Sequence, residues 1–268
     1  MSNEIVKYDN ELNSVPFRKF NSREFNIFFS IITKLKNKGS SKVKLSFNEI
    51  KQLSNYGQHG HNFITDLDHV YTKILDLKIW RQDEHVSEAW VLFTYYKIDK
   101  DHRTVTVAVN PEMTEILNNL ANWTRFSLHQ FVMMKSTYAK TAFRLLKQYR
   151  TIGKRKFSME EFRTLFLVPK SYQTSDINKR ILKPIKIELS SYFKGFQISK
   201  VRRGTGGKIT GYTFTWKPES KDSDDFSLGA SRDERRRLAN IKFNADLTKD
   251  EKEQAYEKIL NDNPNSKK

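Results

Sequence analysis

An α+β fold is what this sequence predicts, on three observations: an order of helices and strands that occurs twice, a ten-residue stretch that recurs in both copies, and a positive charge confined to the second copy. In the first copy Asn21 or Ser22 can cap a helix with Glu24 in its first turn. Phe25, Phe28, Phe29, Ile32 and Leu35 then recur every three or four residues and make one apolar stripe. The glycine of "KNKGSS" ends it. "KVKLSF" (42–47) reads as a short strand and "NEIKQLS" (48–54) as a short helix. After the loop "NYGQHG", a longer helix is predicted from about His61 to Leu77, with Ile64, Leu67, Val70, Tyr71, Ile74 and Leu75 on its apolar side. "AWVLFTYYKI" (89–98) and "RTVTVAV" (103–109) read as a hairpin turned by "DKDH", and "NPEMTEILNNL" as a closing helix.

The second copy begins at Phe126. Ser127 can cap a helix predicted to run unbroken to about Arg150, its period kept by Leu128, Phe131, Val132, Tyr138, Ala139, Ala142, Leu145, Leu146 and Tyr149. "GKRKFS" follows, then a short helix "MEEFRTLFL" stopped by Pro169. The segment "SDINKRILKPIKIEL" (175–189) reads as a helix, and "FQISKVRR" (196–203) and "KITGYTFTW" (208–216) as strands joined by "GTGG". Residues 44–53 (KLSFNEIKQL) lie over 156–165 (KFSMEEFRTL) with four identical positions. Three helices and a hairpin make a winged helix, so the expectation is two tandem winged-helix domains related by internal duplication, at 1–125 and 126–217. Residues 218–268 are polar. "PESKDSDDFSLGASRDERRRL" reads as linker, "LTKDEKEQAYEKIL" (247–260) as an isolated helix, and the whole as a flexible C-terminal tail.

The formal net charge is +17. Residues 1–125 hold 17 Lys and Arg against 15 Asp and Glu, residues 126–217 hold 20 against 4, and residues 218–268 hold 11 against 12. A charge segregated in this way implies a polyanion partner, which a diffuse one would not. There is no cysteine, which excludes a disulfide framework and a thiolate metal site. No run approaches eighteen apolar residues, and the polar N-terminus lacks the apolar core of a signal peptide, so a soluble, cytoplasmic protein without membrane contact is expected.

The helix at 175–189 carries Lys179, Arg180, Lys183 and Lys186 on one face and Ile177, Ile181, Leu182, Ile185 and Leu189 on the other. In a helix-turn-helix the second helix enters the major groove N-terminus first. Arg or Lys can pair with guanine and Asn with adenine, so Asn178, Lys179, Arg180, Lys183 and Lys186 are the candidate base readers. The merely solvated basic helix is the competing reading, and the charged surroundings weigh against it. Pro184 gives up an N–H and crowds the carbonyl of Arg180; a bend and a break into two helices both remain open. Arg202, Arg203 and Lys208 at the tip of the following hairpin suit phosphates or the minor groove. Lys140, Arg144 and Lys147 make a further basic stripe, with backbone contact and plain solvation evenly matched. In the near-neutral first unit, Lys97, Lys100 and Arg103 stay open as a secondary DNA contact, and its main role is expected to be assembly.

Nucleotide and metal motifs fail. "GTGGKIT" has Arg202 and Ile209 where a P-loop needs Gly and Ser/Thr. "HGH" at 59–61 resembles the His-hydrophobic-His motif of nicking replication enzymes, but glycine stands in the middle and no strand carries it. Neither cofactor, metal site nor catalytic constellation is expected, and the chain is not expected to be an enzyme.

The tandem winged helices, "SREFNIFFSIITKL" near the start, and "INKRILKPIKIEL" followed by a basic wing resemble the replication initiators of iteron-containing bacterial plasmids, the Rep type-3 initiators. The resemblance covers roughly residues 10–217, with Leu182-Lys183-Pro184 its most specific part. It implies binding to short direct repeats in double-stranded plasmid DNA at an origin, opening of an A·T-rich neighbour, and recruitment of host initiator and helicase. It also implies dimers that repress their own gene and monomers that initiate. By position it makes 176–189 the base-reading helix and 202–208 the phosphate-contacting wing. The low charge of the first unit departs from a picture of two equal readers. A winged-helix transcriptional repressor, which would open nothing, is the alternative; a metal-dependent nicking enzyme, which would leave a tyrosine–DNA adduct, is the weaker one.

Overall fold

The phenylalanine-rich helix forms as α1 (Ser22–Leu35), after an N-terminal strand β1 (Ile5–Asp9) and a 3₁₀ turn at Asn10–Ser14. A computed structural model of the protein describes residues 4–17, 20–57, 62–82, 84–117, 123–204, 207–221 and 223, with isolated positions 241, 248, 251 and 254. Asn21 accepts from the backbone N–H of Arg23 and Glu24, and the Glu24 carboxylate accepts in return from Asn21 N at 2.7 Å, a reciprocal cap. The expected single stripe is too narrow a description of α1. Glu24, Asn26, Ser30 and Thr33 are buried along with the apolar residues, because other elements cover its second face. Ser30 and Thr33 satisfy their hydroxyls by donating to carbonyls one turn back at 2.7 and 2.8 Å.

The first repeat continues with β2 (Val43–Ser46), α2 (Phe47–Leu53) and α3 (Phe63–Leu75). Then come β3 (Lys78–Gln82), β4 (Ser87–Val91), β5 (Phe93–Asp99) and β6 (Thr104–Val109). After a 3₁₀ segment at Pro111–Ile116, β7 (Trp123–Ser127), α4 (Leu128–Met133) and α5 (Thr137–Lys147) cross towards the second repeat. That repeat holds β8 (Lys154–Ser158), α6 (Met159–Leu165), α7 (Thr174–Asp176), a π-helical segment Ile177–Leu182 and α8 (Lys183–Leu189). Strands β9 (Gln197–Arg202) and β10 (Ile209–Thr215) close it.

The duplication is visible in the sheets. The first repeat orders its antiparallel strands β2-β6-β5, the second β8-β10-β9. Ser46 caps α2 by accepting from Glu49 N at 3.1 Å, and Ser158 caps α6 by accepting from Glu161 N at 3.0 Å. Each short helix ends on a left-handed residue, Asn55 (φ 50°) or Leu167 (φ 52°). In each, the next N–H turns back to the helix, Tyr56 N to Lys51 O and Val168 N to Arg163 O, both 2.9 Å.

Three of the predicted elements need correction. The strand predicted over 89–98 is two strands: β4 pairs with β3 in a separate ribbon, and the chain re-aims at buried Leu92, whose N–H donates to Leu77 O at 3.2 Å. The helix predicted from 127 to 150 breaks at extended Met134 (ψ 141°). There the Glu188 carboxylate accepts from Lys135 N and Ser136 N at 2.8 and 3.0 Å, and Ser136 caps the new helix. Helix α1 packs against β1, α4 and α5 as well as against α2 and α3. The closing helix expected after Asn110 is a 3₁₀ segment, and residues 118–122 lie outside the described residues.

The tail expectation changes at its start. Glu219 N donates to Arg150 O at 2.8 Å, and the Glu219 carboxylate accepts from Lys147 Nζ at 2.7 Å and from Arg150. Ser223 is fully buried and accepts from Arg150 Nη1 at 3.1 Å. The helix expected at 247–260 and the "HGH" motif at 59–61 lie outside the described residues, the isolated positions 248, 251 and 254 apart.

β1 pairs with β7 from Ile5↔Ser127 to Asp9↔Trp123, so the boundary expected at 125/126 falls inside a strand. One aromatic core runs through both repeats: Phe29 meets Phe131 at 4.7 Å between ring centroids, and Phe126 meets Phe143 at 5.4 Å.

Candidate nucleic-acid interface

The segment 174–189 is one continuous helical run. Asp176, Leu182 and Lys183 all have right-handed helical angles. The π-helical stretch removes the difficulty posed by Pro184. Lys183 N bonds back to Asn178 O, five residues away, so the ladder is already in a wider register when it reaches the residue that lacks an N–H. The run is not broken there.

Ile177, Ile181, Leu182, Ile185 and Leu189 are buried against the second repeat's core, as the periodicity predicts. Lys179, Arg180, Lys183 and Lys186 are exposed on the opposite face, and Asn178 is half-buried at its edge. Arg180 lies 3.7 Å from Asp176 one turn back, and its guanidinium sits 5.5 Å from the Tyr172 ring centroid. Both contacts draw it towards the N-terminal end of the helix. The loop leading into the helix is clamped by Arg163, which donates to Pro169 O and Tyr172 O at 3.3 and 2.8 Å. Glu188, near the other end, accepts from Lys135 N and Ser136 N just before α5, so both ends of the run are tied down.

The wing stands beside the helix. Arg202, Arg203 and Lys208 are exposed at its tip, with Arg202 Nη1 donating to Gly207 O at 3.0 Å and Arg203 N bonded to Lys208 O at 3.2 Å. At Gly211 the strand is irregular, and a Cβ would meet Phe157 O at 2.2 Å, so only glycine fits there. A recess of about 530 Å³ lies between helix and wing, lined by Asn178, Leu182, Lys183, Lys186, Ile187, Ser190, Ile198 and Lys200. It brings Lys183 and Lys186 of the helix together with Lys200 of the wing strand β9. Lys200 was not singled out from sequence. It lies two residues from Ile198 in β9, and that alternation is the signal that places both on the helix-facing side.

The stripe on α5 is a correction. Lys140 and Arg144 have no exposed surface, and Lys147 very little. Lys140 Nζ donates to Asn26 Oδ1 and Phe131 O, both 2.6 Å, and burial pushes its pKa down to about 7. Arg144 donates to Leu12 O, Asn13 Oδ1 and Val15 O at 3.0–3.1 Å and lies over Phe17. Lys147 pairs with Glu219. The Glu219 carboxyl is buried, yet the Lys147 and Arg150 charges outweigh that burial and hold it below its ordinary range. These three cations tie α5 to the first repeat and to the tail's first turn, and none can reach a phosphate. Their spacing matched a solvated face because the elements that cover them come from far along the chain.

On the first repeat, Lys97, Lys100 and Arg103 are exposed at the β5–β6 turn. Lys97 pairs with Asp99 at 3.1 Å, Asp99 also holds His102 at 2.9 Å, and Arg103 has φ 53° with its guanidinium 6.0 Å from the Phe47 ring. The outward face of α3 shows Thr65, Asp68, His69, Thr72 and Asp76. Asp66 turns inward to Tyr56 and Arg23, and Lys73 to buried Glu24. Among the described residues no group of three His, Cys, Asp or Glu could hold a metal, and no helix is long and apolar enough to cross a membrane.

What these features define is a pair of fused winged helices with one basic helix–wing face. Residues 5–147 match the family described as "Initiator Replication protein, WH1" and residues 158–216 the one described as "Initiator Rep protein, WH2". The chain belongs to this family of plasmid-type Rep replication initiators. It is similar to a "Probable replication protein rep" of Bifidobacterium longum (strain NCC 2705), at 32% identity over 225 residues, 82% of this chain and 75% of the relative. Its fold is similar to that in the "Crystal structure of Pi initiator protein in complex with iteron DNA", with a TM-score of 0.64, 11% identity, and coverage of 81% of this chain and 98% of that one.

Proposed function

We propose that the chain initiates plasmid replication by binding directly repeated duplex segments at an origin through its second repeat. Asn178, Lys179, Arg180, Lys183 and Lys186 read base edges, while Arg202, Arg203 and Lys208 grip phosphate at the wing. Binding helps to open an adjoining A·T-rich segment and brings in host initiator and helicase; the dimer represses the chain's own gene. No bond is made or broken by the chain in this scheme. The observation that carries the reading is the four exposed helix cations standing beside the basic wing, over a fully apolar buried face. The family and the likeness to a protein crystallised with iteron DNA support it.

The first unit, 1–125, serves assembly in this reading. Lys97, Lys100 and Arg103 supply at most a weak secondary contact, since Asp99 already engages Lys97. Residues 126–217 are the main reader, and the segment from 218 fastens onto α5 before running on. Because β7 and the buried Arg144 join the units, the test uses the whole chain. The full-length protein on supercoiled DNA carrying the direct repeats beside its gene should protect the repeats from nuclease and make an adjacent A·T-rich stretch reactive to permanganate. Protection without permanganate reactivity would leave a repressor, and a covalent tyrosine–DNA adduct would mean a nicking enzyme.

A further inference from the structure

Ile187 is out of place on a basic face. It is 65% exposed, on the helix turn that follows Lys183, and it shares the wall of the 530 Å³ recess with Leu182 and Ile198. Its neighbours on that face are Lys183, Lys186 and Ser190. A large aliphatic side chain in water, ringed by cations, gains nothing from the fold: the helix is already anchored by Ile177, Ile181, Leu182, Ile185 and Leu189 behind it. Its surface is dehydrated only when something docks on this face.

Charge complementarity limits what can dock. Lys183, Lys186 and Lys200 rim the recess and call for a polyanion, while Ile187 calls for an apolar group carried by that polyanion. A DNA duplex offers one such group in the major groove, the C5-methyl of thymine, and offers it at one base only. We propose that Ile187 is a specificity-determining residue that packs on a thymine methyl, one helical turn beyond the base pair met by Lys183. This deepens the proposed function and rests on it. The lysines set affinity for any sequence, and the isoleucine adds a contact with the methyl itself, which uracil lacks while presenting the same hydrogen-bond acceptor as thymine.

That difference of one methyl is the test. The full-length chain is used to select its preferred duplex from a pool randomised over twenty base pairs, and each thymine of the selected duplex is then replaced singly by uracil. At one thymine the replacement should weaken binding about fourfold, the worth of one buried methyl group. Ile187→Ala, an exposed position whose far-UV spectrum should be unchanged, should bind the thymine duplex about as weakly as the native chain binds the uracil duplex, and should not distinguish the two. If every uracil replacement is silent, or if the sensitive thymine stays sensitive in Ile187→Ala, the methyl reading is wrong and duplex recognition by the helix still stands. The same holds if Ile187→Ala weakens all sequences equally, as contact with a sugar would. If the native chain selects no sequence at all, the proposed function itself fails.

Discussion

Helix α3 and the reading helix at 174–189 each follow a short strand and a short helix in a repeat of the same three-stranded order, yet α3 turns Thr65, Asp68, His69, Thr72 and Asp76 to solvent where the second turns Lys179, Arg180, Lys183 and Lys186. The caps, the left-handed turn residues and the strand order agree between the repeats; the outward faces do not. Duplication has supplied a frame twice, and the chemistry of one face decides what each frame can touch. A carboxylate face repels phosphate, and the first repeat's basic wing is partly neutralised by Asp99. A second contrast lies within the second repeat. Its excess charge divides into cations that hold the fold, on α5, and cations that face solvent, on the helix and wing.

The fold-holding set should give the largest effects. Arg144→Met leaves Leu12 O, Asn13 and Val15 O without their donor in a closed interior and should cost about 3–5 kcal/mol in urea unfolding, whatever the DNA does. Lys140 carries a pH signature. Burial holds its folded pKa down to about 7, so above that value the unfolded amine still binds a proton that the folded one has lost. Stability should therefore rise with pH from about 7 towards about 10, by on the order of 3 kcal/mol, and the rise should vanish in Lys140→Met.

The solvent-facing set should leave stability alone and change binding. Arg180→Ala should cost about 1–3 kcal/mol at one base pair of the preferred duplex, and Thr72→Ala on α3 nothing; equal losses from both would erase the contrast between the repeats. Arg203→Ala should weaken all sequences alike and reduce the slope of log affinity against log salt by about 1. The smallest effect borrows from the first repeat. Leu167 takes a left-handed conformation that Asn55 takes in the equivalent turn, so Leu167→Asn should raise stability by roughly 0.5–1 kcal/mol.

Local signals carried far in this sequence. The capped α1, the paired short helices, the apolar face of 177–189 and the hairpin wing all follow from spacing and caps, and so did the likeness to plasmid initiators. What spacing could not show was coverage. Lys140, Arg144 and Lys147 sit where a solvated stripe would sit, and only Asn26, residues 12–15 and Glu219, distant in sequence, turn that stripe inward. The break at Met134–Ser136 depends on Glu188 in the same way. β1 and β3 were missed because five-residue strands of mixed polarity declare themselves only through their partners, β7 and β4. Pro184 raised a choice between bend and break, and the π-helical register offered a third solution that residue types alone do not announce.

The chain contains no cysteine, so a single introduced thiol reports from one place only. Ser190, at the C-terminal end of the reading helix, and Thr72, on α3, are exposed. With a thiol-tethered iron chelate on Ser190→Cys, the full-length protein should cleave its preferred duplex at a cluster of positions within each repeat, and the same chelate on Thr72→Cys should cleave it weakly or not at all. Strong, localised cleavage from Thr72→Cys with none from Ser190→Cys would contradict the assignment of sequence reading to the second repeat.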